Sequence, residues 1–144
     1  LGRHYGNGLQ LINILRDAHS DLHAGRCYFP MRELEEIGLD PAHILAEPDR
    51  FEIILEKWRE EAQRGLTASI NYVCAIRNRR IRGATALPAL IGARTLSLLR
   101  AAGPAELHRK IKIPRSEVRA IMARVAITLA NRQPIRRMFR RLSS

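Results

Sequence analysis

Hydrophobic residues recur along this chain at steps of three and four, the period of a helix, and no segment alternates as a half-buried strand would. The pattern predicts a first helix over residues 3–22, a turn over 23–26 with Gly25 as terminator, and an extended run over 27–30. A short helix over 31–37 is ended by Gly38, and Pro41 and Pro48 mark turns. Asp49 is placed to cap a helix over 50–65 with Phe51, Ile54, Leu55 and Trp58 on its inner face. Separate helices are expected over 67–80 and 83–100, the second kinked at Pro88. A basic link over 108–112 leads to a last long helix over 114–129, and the arginine-rich tail 136–144 carries no prediction of order. The expected architecture is all-α.

Within the first helix, Gln10, Asn13, Asp17 and Asp21 fall on one narrow stripe. Leu11, Leu15, Ala18 and Leu22 form an apolar stripe about a quarter-turn away, suited to packing on a neighbouring helix. A segment this apolar is expected to be largely buried, so that its polar stripe lines a cavity. Carboxylates four residues apart stand about 6 Å from one another, and at an effective dielectric of about 20 they repel by roughly 2–3 kcal/mol. A divalent cation with oxygen ligands is the economical way to offset that repulsion. The Asp-x-x-x-Asp spacing alone is common on solvated helix faces. The two amides in register and the Leu and Ile flanks are what favour a metal here. His19 and His23 point well away from the stripe and read as surface or packing residues.

The composition, 46% hydrophobic over 144 residues, suffices for one sizeable core. The longest apolar run, 84–93, is bracketed by Arg82 and Arg94 and is too short to span a bilayer. The net charge of +11 is unevenly spread: residues 1–61 hold 12 of the 14 acids, whereas residues 62–144 hold 2 acids and 18 of the 25 basic residues. That basic half implies an anionic partner, whether nucleic acid, an anionic membrane surface or a phosphorylated ligand. Without interleaved aromatics or a nucleic-acid motif, DNA or RNA is the weakest of the three. Cys27 and Cys74, in separate apolar contexts, read as reduced core thiols of a cytoplasmic protein, and no Cys/His cluster has zinc-ligand spacing.

The segment 9–30, LQLINILRDAHSDLHAGRCYFP, resembles the second aspartate-rich motif of the squalene and phytoene synthase family. That motif runs roughly L-Q-x-x-N-I-x-R-D-x-x-x-D, followed by G-R and an aromatic residue before a proline. Gln10, Asn13, Arg16, Asp17, Asp21, Arg26 and Tyr28 fall on its positions. Residues 71–78, NYVCAIRN, with Ala86-Leu87-Pro88, are similar to the tyrosine-bearing and apolar helices of squalene synthases, bacterial squalene synthase-like members above all. Lys110-Ile111-Lys112-Ile113 is similar to a basic patch that follows them. The resemblance implies the all-α isoprenoid synthase fold. Residues 1–144 are then the C-terminal part of one such domain, because the first aspartate-rich motif of the family has no counterpart here: no second Asp-x-x-x-Asp pair occurs.

The activity so implied is that of a transferase, the magnesium-dependent head-to-head condensation of two prenyl diphosphates to a presqualene diphosphate- or squalene-type product. Farnesyl diphosphate is the favoured substrate, and a phytoene synthase using geranylgeranyl diphosphate is the alternative. Carried over, Asp17 and Asp21 are catalytic magnesium ligands, and Gln10 and Asn13 line the diphosphate site. Arg16 and Arg26 contact phosphate. Tyr28 and Tyr72 match tyrosines that assist diphosphate departure or orient the cation, with Tyr72 expected across the cavity from Asp17. Ser20 stands where the family often carries an acid. NADPH is compatible with the family but no motif here supports it. This half alone is expected to be inactive, and peripheral association with an anionic membrane suits a lipid product. A different class, a non-catalytic basic helical module binding nucleic acid or membrane, leaves the polar stripe without a purpose.

Overall fold

The computed structural model describes residues 2–128 and 130–144. α1 spans Gly2–His23 and buries Ile12, Leu15 and Ala18; Gly25, at φ +73°, turns the chain beyond it in a left-handed conformation that a side chain would strain. α2, Met31–Glu36, gives way at Ile37 to a second left-handed glycine, Gly38.

The two helices expected over 50–65 and 67–80 are one. α3 runs without interruption over Pro48–Ala75. Gly65 does not end it: a side chain there would collide with the backbone of Gly8, so its bareness serves a close helix crossing. Asp49 is not the cap. Pro48 fills the first helical position, where a missing N–H is no loss, and Asp49 lies inside the first turn. The inner face is as expected, with Phe51, Ile54 and Leu55 buried and Trp58 packed against the core.

Asn78 accepts hydrogen bonds from the N–H groups of Arg80 (3.0 Å) and Ile81 (3.2 Å) and so starts α4, Arg79–Ala102, ahead of the expected Gly83. The helix continues through Pro88, which faces solvent. A 3-10 segment, Gly103–Leu107, and an extended link precede α5, Arg115–Ile127. The tail, for which the pattern predicts no order, forms α6, Arg132–Leu142. Ile135, Met138 and Phe139 make a stripe that docks on the core, leaving Arg136, Arg137, Arg140 and Arg141 exposed. No strand occurs among the described residues, and no helix is long and apolar enough to cross a membrane.

α1 and α3 run antiparallel, with Tyr5 beside Tyr72 (ring centroids 5.8 Å apart) and Gly8 against Gly65. α4 returns along both, its Gly92 close to Leu66 of α3 and Leu9 of α1. Phe29, after the first turn, packs edge-on against Phe51 and beside Trp58, closing the core at the end of α1 that carries the aspartates. Cys74 is buried, Cys27 half-buried, and both are free thiols.

One ionic group lies inside this core. Arg59 of α3 and Glu106 of the 3-10 segment, each with a side chain 1% exposed, stand 3.1 Å apart, and Arg59 also donates to Glu52 and Glu56. Burial pushes the Glu106 carboxyl up to about 7 in spite of the Arg59 charge, and Glu52 and Glu56 push the same way.

Candidate functional site

The chain after α1 folds back on the helix it leaves. The Arg26 N–H donates to the Asp21 carbonyl at 2.8 Å, a reversal that the left-handed Gly25 permits. It lays the Arg26 guanidinium over its own helix, with Nη2 2.8 Å and Nε 3.2 Å from Asp21 Oδ1. One turn earlier Arg16 grips Asp17 with two parallel bonds, Nε to Oδ1 at 3.0 Å and Nη2 to Oδ2 at 2.7 Å. The repulsion expected between the two carboxylates is therefore answered within the protein, by two guanidinium groups.

The Arg16 hydrogen bonds hold the Asp17 carboxyl below the usual carboxylate range, against a smaller upward push from burial, and the Lys110 charge adds to the lowering. Lys110 is 93 positions away in sequence and reaches Asp17 through tertiary structure. His19 Nδ1–H donates to the Leu107 carbonyl at 2.9 Å, tying the 3-10 segment to α1 three residues before Lys110. His19 and His23 stack edge to face at 4.5 Å, so both are packing residues, as their angular position implies. Asp21 raises the Arg26 guanidinium further above its ordinary range, and the Tyr28 phenol contributes in the same direction, which sets Tyr28 beside Arg26.

Asp17, Asp21, Arg16, Arg26 and Tyr28 are thus brought together, with Lys110 as a member that sequence offers only as part of a basic link. Gln10 and Asn13 continue the same face toward the start of α1, both exposed. The face is open rather than the wall of an enclosed cavity: the Asp17 and Asp21 side chains are 35% and 18% exposed. α3, α4 and the 3-10 segment all pack on the opposite side of α1, because that is where Ile12, Leu15 and Ala18 point.

Tyr72 does not join the group. Antiparallel packing sets the end of α3 beside the start of α1, so Tyr72 meets Tyr5, which precedes Asp17 by twelve residues, about 18 Å of helix rise. That separation rules out a direct hydrogen bond to Asp17. Tyr5 itself donates from its hydroxyl to the Thr85 carbonyl at 2.9 Å, linking α1 to α4.

Among the described residues no three His, Cys, Asp or Glu side chains gather into a metal cage. The face instead offers two reachable carboxylates and two amides, all oxygen donors, the set magnesium accepts when water and ligand phosphate complete its shell. The residues present fit such an ion.

A family model described as Squalene/phytoene synthase matches residues 1–117. Presqualene diphosphate synthase of Zymomonas mobilis is 36% identical over 102 residues, 69% of this chain and 33% of its own length. Presqualene diphosphate synthase of Sinorhizobium fredii is 30% identical over 134 residues, 90% of this chain and 47% of its own. The 15-cis-phytoene synthase of Pantoea ananas is 47% identical over 45 residues, 31% of this chain and 15% of its own. The chain therefore spans half or less of the length of these curated relatives. No solved structure matches significantly.

Proposed function

Because the chain belongs to the squalene/phytoene synthase family, we propose that residues 1–144 form the C-terminal part of one isoprenoid synthase domain and that the complete protein joins two prenyl diphosphates head to head. One observation carries this: two helix-borne aspartates, each held by an arginine on one open face, with the Lys110 charge acting on Asp17. Guanidinium forks suit phosphate oxygens as well as carboxylate oxygens. Arg16 and Arg26 can therefore pass from Asp17 and Asp21 to an arriving diphosphate without losing their bonding. Asp17 and Asp21, so released, are the residues that would hold magnesium, with Gln10 and Asn13 lining the same face. When bound, the ion neutralises charge growing on the departing diphosphate. Arg16, Arg26 and Lys110 hold that leaving group and stabilise the negative charge it takes away. Tyr28, beside Arg26, orients the guanidinium; Tyr72, at the level of Tyr5, is assigned no contact with the diphosphate.

The names of the Zymomonas and Sinorhizobium relatives favour presqualene diphosphate as product, with a phytoene-type product as the alternative. The family resemblance pairs the first with farnesyl diphosphate and the second with geranylgeranyl diphosphate as substrate. The exposed arginines of α6 support a cytoplasmic protein resting on an anionic membrane. A non-catalytic module would leave the acidic face unused. The test is turnover of farnesyl diphosphate by the full-length protein with magnesium. Asp17→Asn and Asp21→Asn should each lower kcat by about a hundredfold or more with unchanged helicity. Near wild-type turnover of both variants in limiting magnesium would reject the assignment.

A further inference from the structure

At the far end of the molecule the starts of α4 and α6 face each other across a cleft of about 610 Å³, lined by Arg77, Arg79, Arg82 and Arg132 together with Asn131 and Gln133. We propose that this cleft binds a phosphate group, carried either by a free phosphate or diphosphate ion or by a phospholipid headgroup.

The first support is charge. Four guanidinium groups share one cleft, and no acid is available to them. Residues 62–144 contain two acids, and both are engaged elsewhere: Glu106 lies against Arg59, and Glu117 is bonded to Arg94 at 2.7 Å. None of the four arginines makes an ion pair among the described residues. Like charges so gathered repel unless an anion enters.

The second support is burial. Arg82 is 4% exposed, and its hydrogen bonds go to neutral acceptors: Nε donates to the Ala130 carbonyl (2.6 Å), Nη1 to the carbonyls of Ile76 (2.6 Å) and Arg77 (3.3 Å). A buried cation without a counter-ion is unfavourable, and Nη2 makes no hydrogen bond among the described residues. The three carbonyls fix the guanidinium at the cleft wall, so an anion would meet a group already in place.

The third support is backbone. Asn131 occupies the cap position of α6 and makes no side-chain cap bond, so the first N–H groups, on Arg132 and Gln133, remain for a ligand in the cleft. A phosphate matches all three features: its oxygens accept bidentate bonds from Arg79 and Arg132, an end-on bond from Arg82 and bonds from the helix N–H groups. The site stands apart from the α1 carboxylates and contains no metal ligand. It is independent of the proposed activity.

The experiment uses the full-length protein in EDTA, so that binding at the magnesium-dependent face does not contribute. Inorganic phosphate and diphosphate are titrated calorimetrically, and sedimentation is measured with phosphatidylglycerol and phosphatidylcholine vesicles. Wild type is compared with an Arg79→Gln, Arg132→Gln double variant, both positions being exposed and outside the Arg82 bonds, and with an Arg115→Gln, Arg119→Gln variant of equal net charge. Thermal melts check that each is folded. The proposal expects the cleft variant to weaken binding about tenfold or more while the α5 variant binds as wild type. Loss for the free ions identifies a soluble phosphate as the ligand; loss for phosphatidylglycerol vesicles alone identifies a headgroup. Equal loss in both variants means diffuse charge, and no loss in either means no site; each of these results overturns the proposal.

Discussion

Gly8 and Gly65 meet backbone to backbone where α1 crosses α3: a Cβ on Gly8 would stand 2.8 Å from the Gly65 carbonyl carbon, and a Cβ on Gly65 would stand 2.6 Å from the Gly8 Cα. Neither helix can yield without moving the acidic face of α1 relative to the core. Alanine at either position should therefore destabilise the fold by about 1–3 kcal/mol, although alanine ordinarily gains about 1 kcal/mol over glycine in a helix. Gly6 is the internal control: a Cβ there would meet nothing within 4 Å, and Gly6→Ala should be neutral or stabilising. Urea unfolding of the three variants distinguishes the crossing from a general glycine effect.

Arg16→Gln and Arg26→Gln should raise KM for the prenyl diphosphate about tenfold or more, by removing a bidentate phosphate contact. Their stability should be nearly that of wild type, since both pairs are substantially exposed. Arg26→Lys should restore charge but only part of the affinity, because an ammonium lacks the fork. Steady-state kinetics beside thermal melts would show the split; a loss of stability equal to the loss of binding would speak against it.

The native Glu106 carboxyl, raised to about 7 from an ordinary value of 4.5, binds its proton more tightly than the unfolded chain does. The stability it contributes is fully present below pH 4.5 and is lost as the pH rises through about 7. Glu106→Gln should flatten that decline in a series of unfolding curves between pH 4.5 and 8. Arg59→Leu should do more harm, about 3–5 kcal/mol, because it strands a buried carboxyl that has lost its cation.

Tyr72→Phe should leave turnover within about twofold of wild type, since the phenol stands level with Tyr5 and not with Asp17. Tyr5→Phe removes the bond to the Thr85 carbonyl and should lower stability by about 1 kcal/mol. A large kinetic defect in Tyr72→Phe with unchanged stability would return Tyr72 to the catalytic group.

The 144-residue chain by itself, carrying one Asp-x-x-x-Asp pair, should form no product from farnesyl diphosphate and magnesium. Product detected by chromatography would show that one acidic helix suffices.

What sequence makes legible is what lies close along the chain. Asp17, Asp21, Arg16, Arg26 and Tyr28 fall within thirteen positions, and helical geometry plus one glycine turn assembles them. Lys110 escapes such a reading because it arrives through the His19–Leu107 hydrogen bond, a contact between distant segments. Tyr72 is expected opposite Asp17 and found elsewhere, because periodicity gives the face of a helix but not its direction against a neighbour. Gly65 reads as a terminator because glycine serves both to end helices and to let them touch. In α6 the five arginines conceal a stripe of four apolar residues, Ile135, Met138, Phe139 and Leu142, whose docking orders the segment.

The unbroken length of α3 has a consequence for how the molecule can be dissected. Counting from the Gly8–Gly65 crossing, Asp17 lies nine residues one way and Arg77 twelve residues the other, about 30 Å in all along the antiparallel helices. That is nearly four screening lengths of about 8 Å in physiological salt. Charges altered at one end should not be felt at the other, so the free energies of paired substitutions, one from each end, should simply add. The stiff central rod thus makes the protein electrically divisible: an acidic end and an arginine end that can be titrated, mutated and loaded as separate instruments within a single fold.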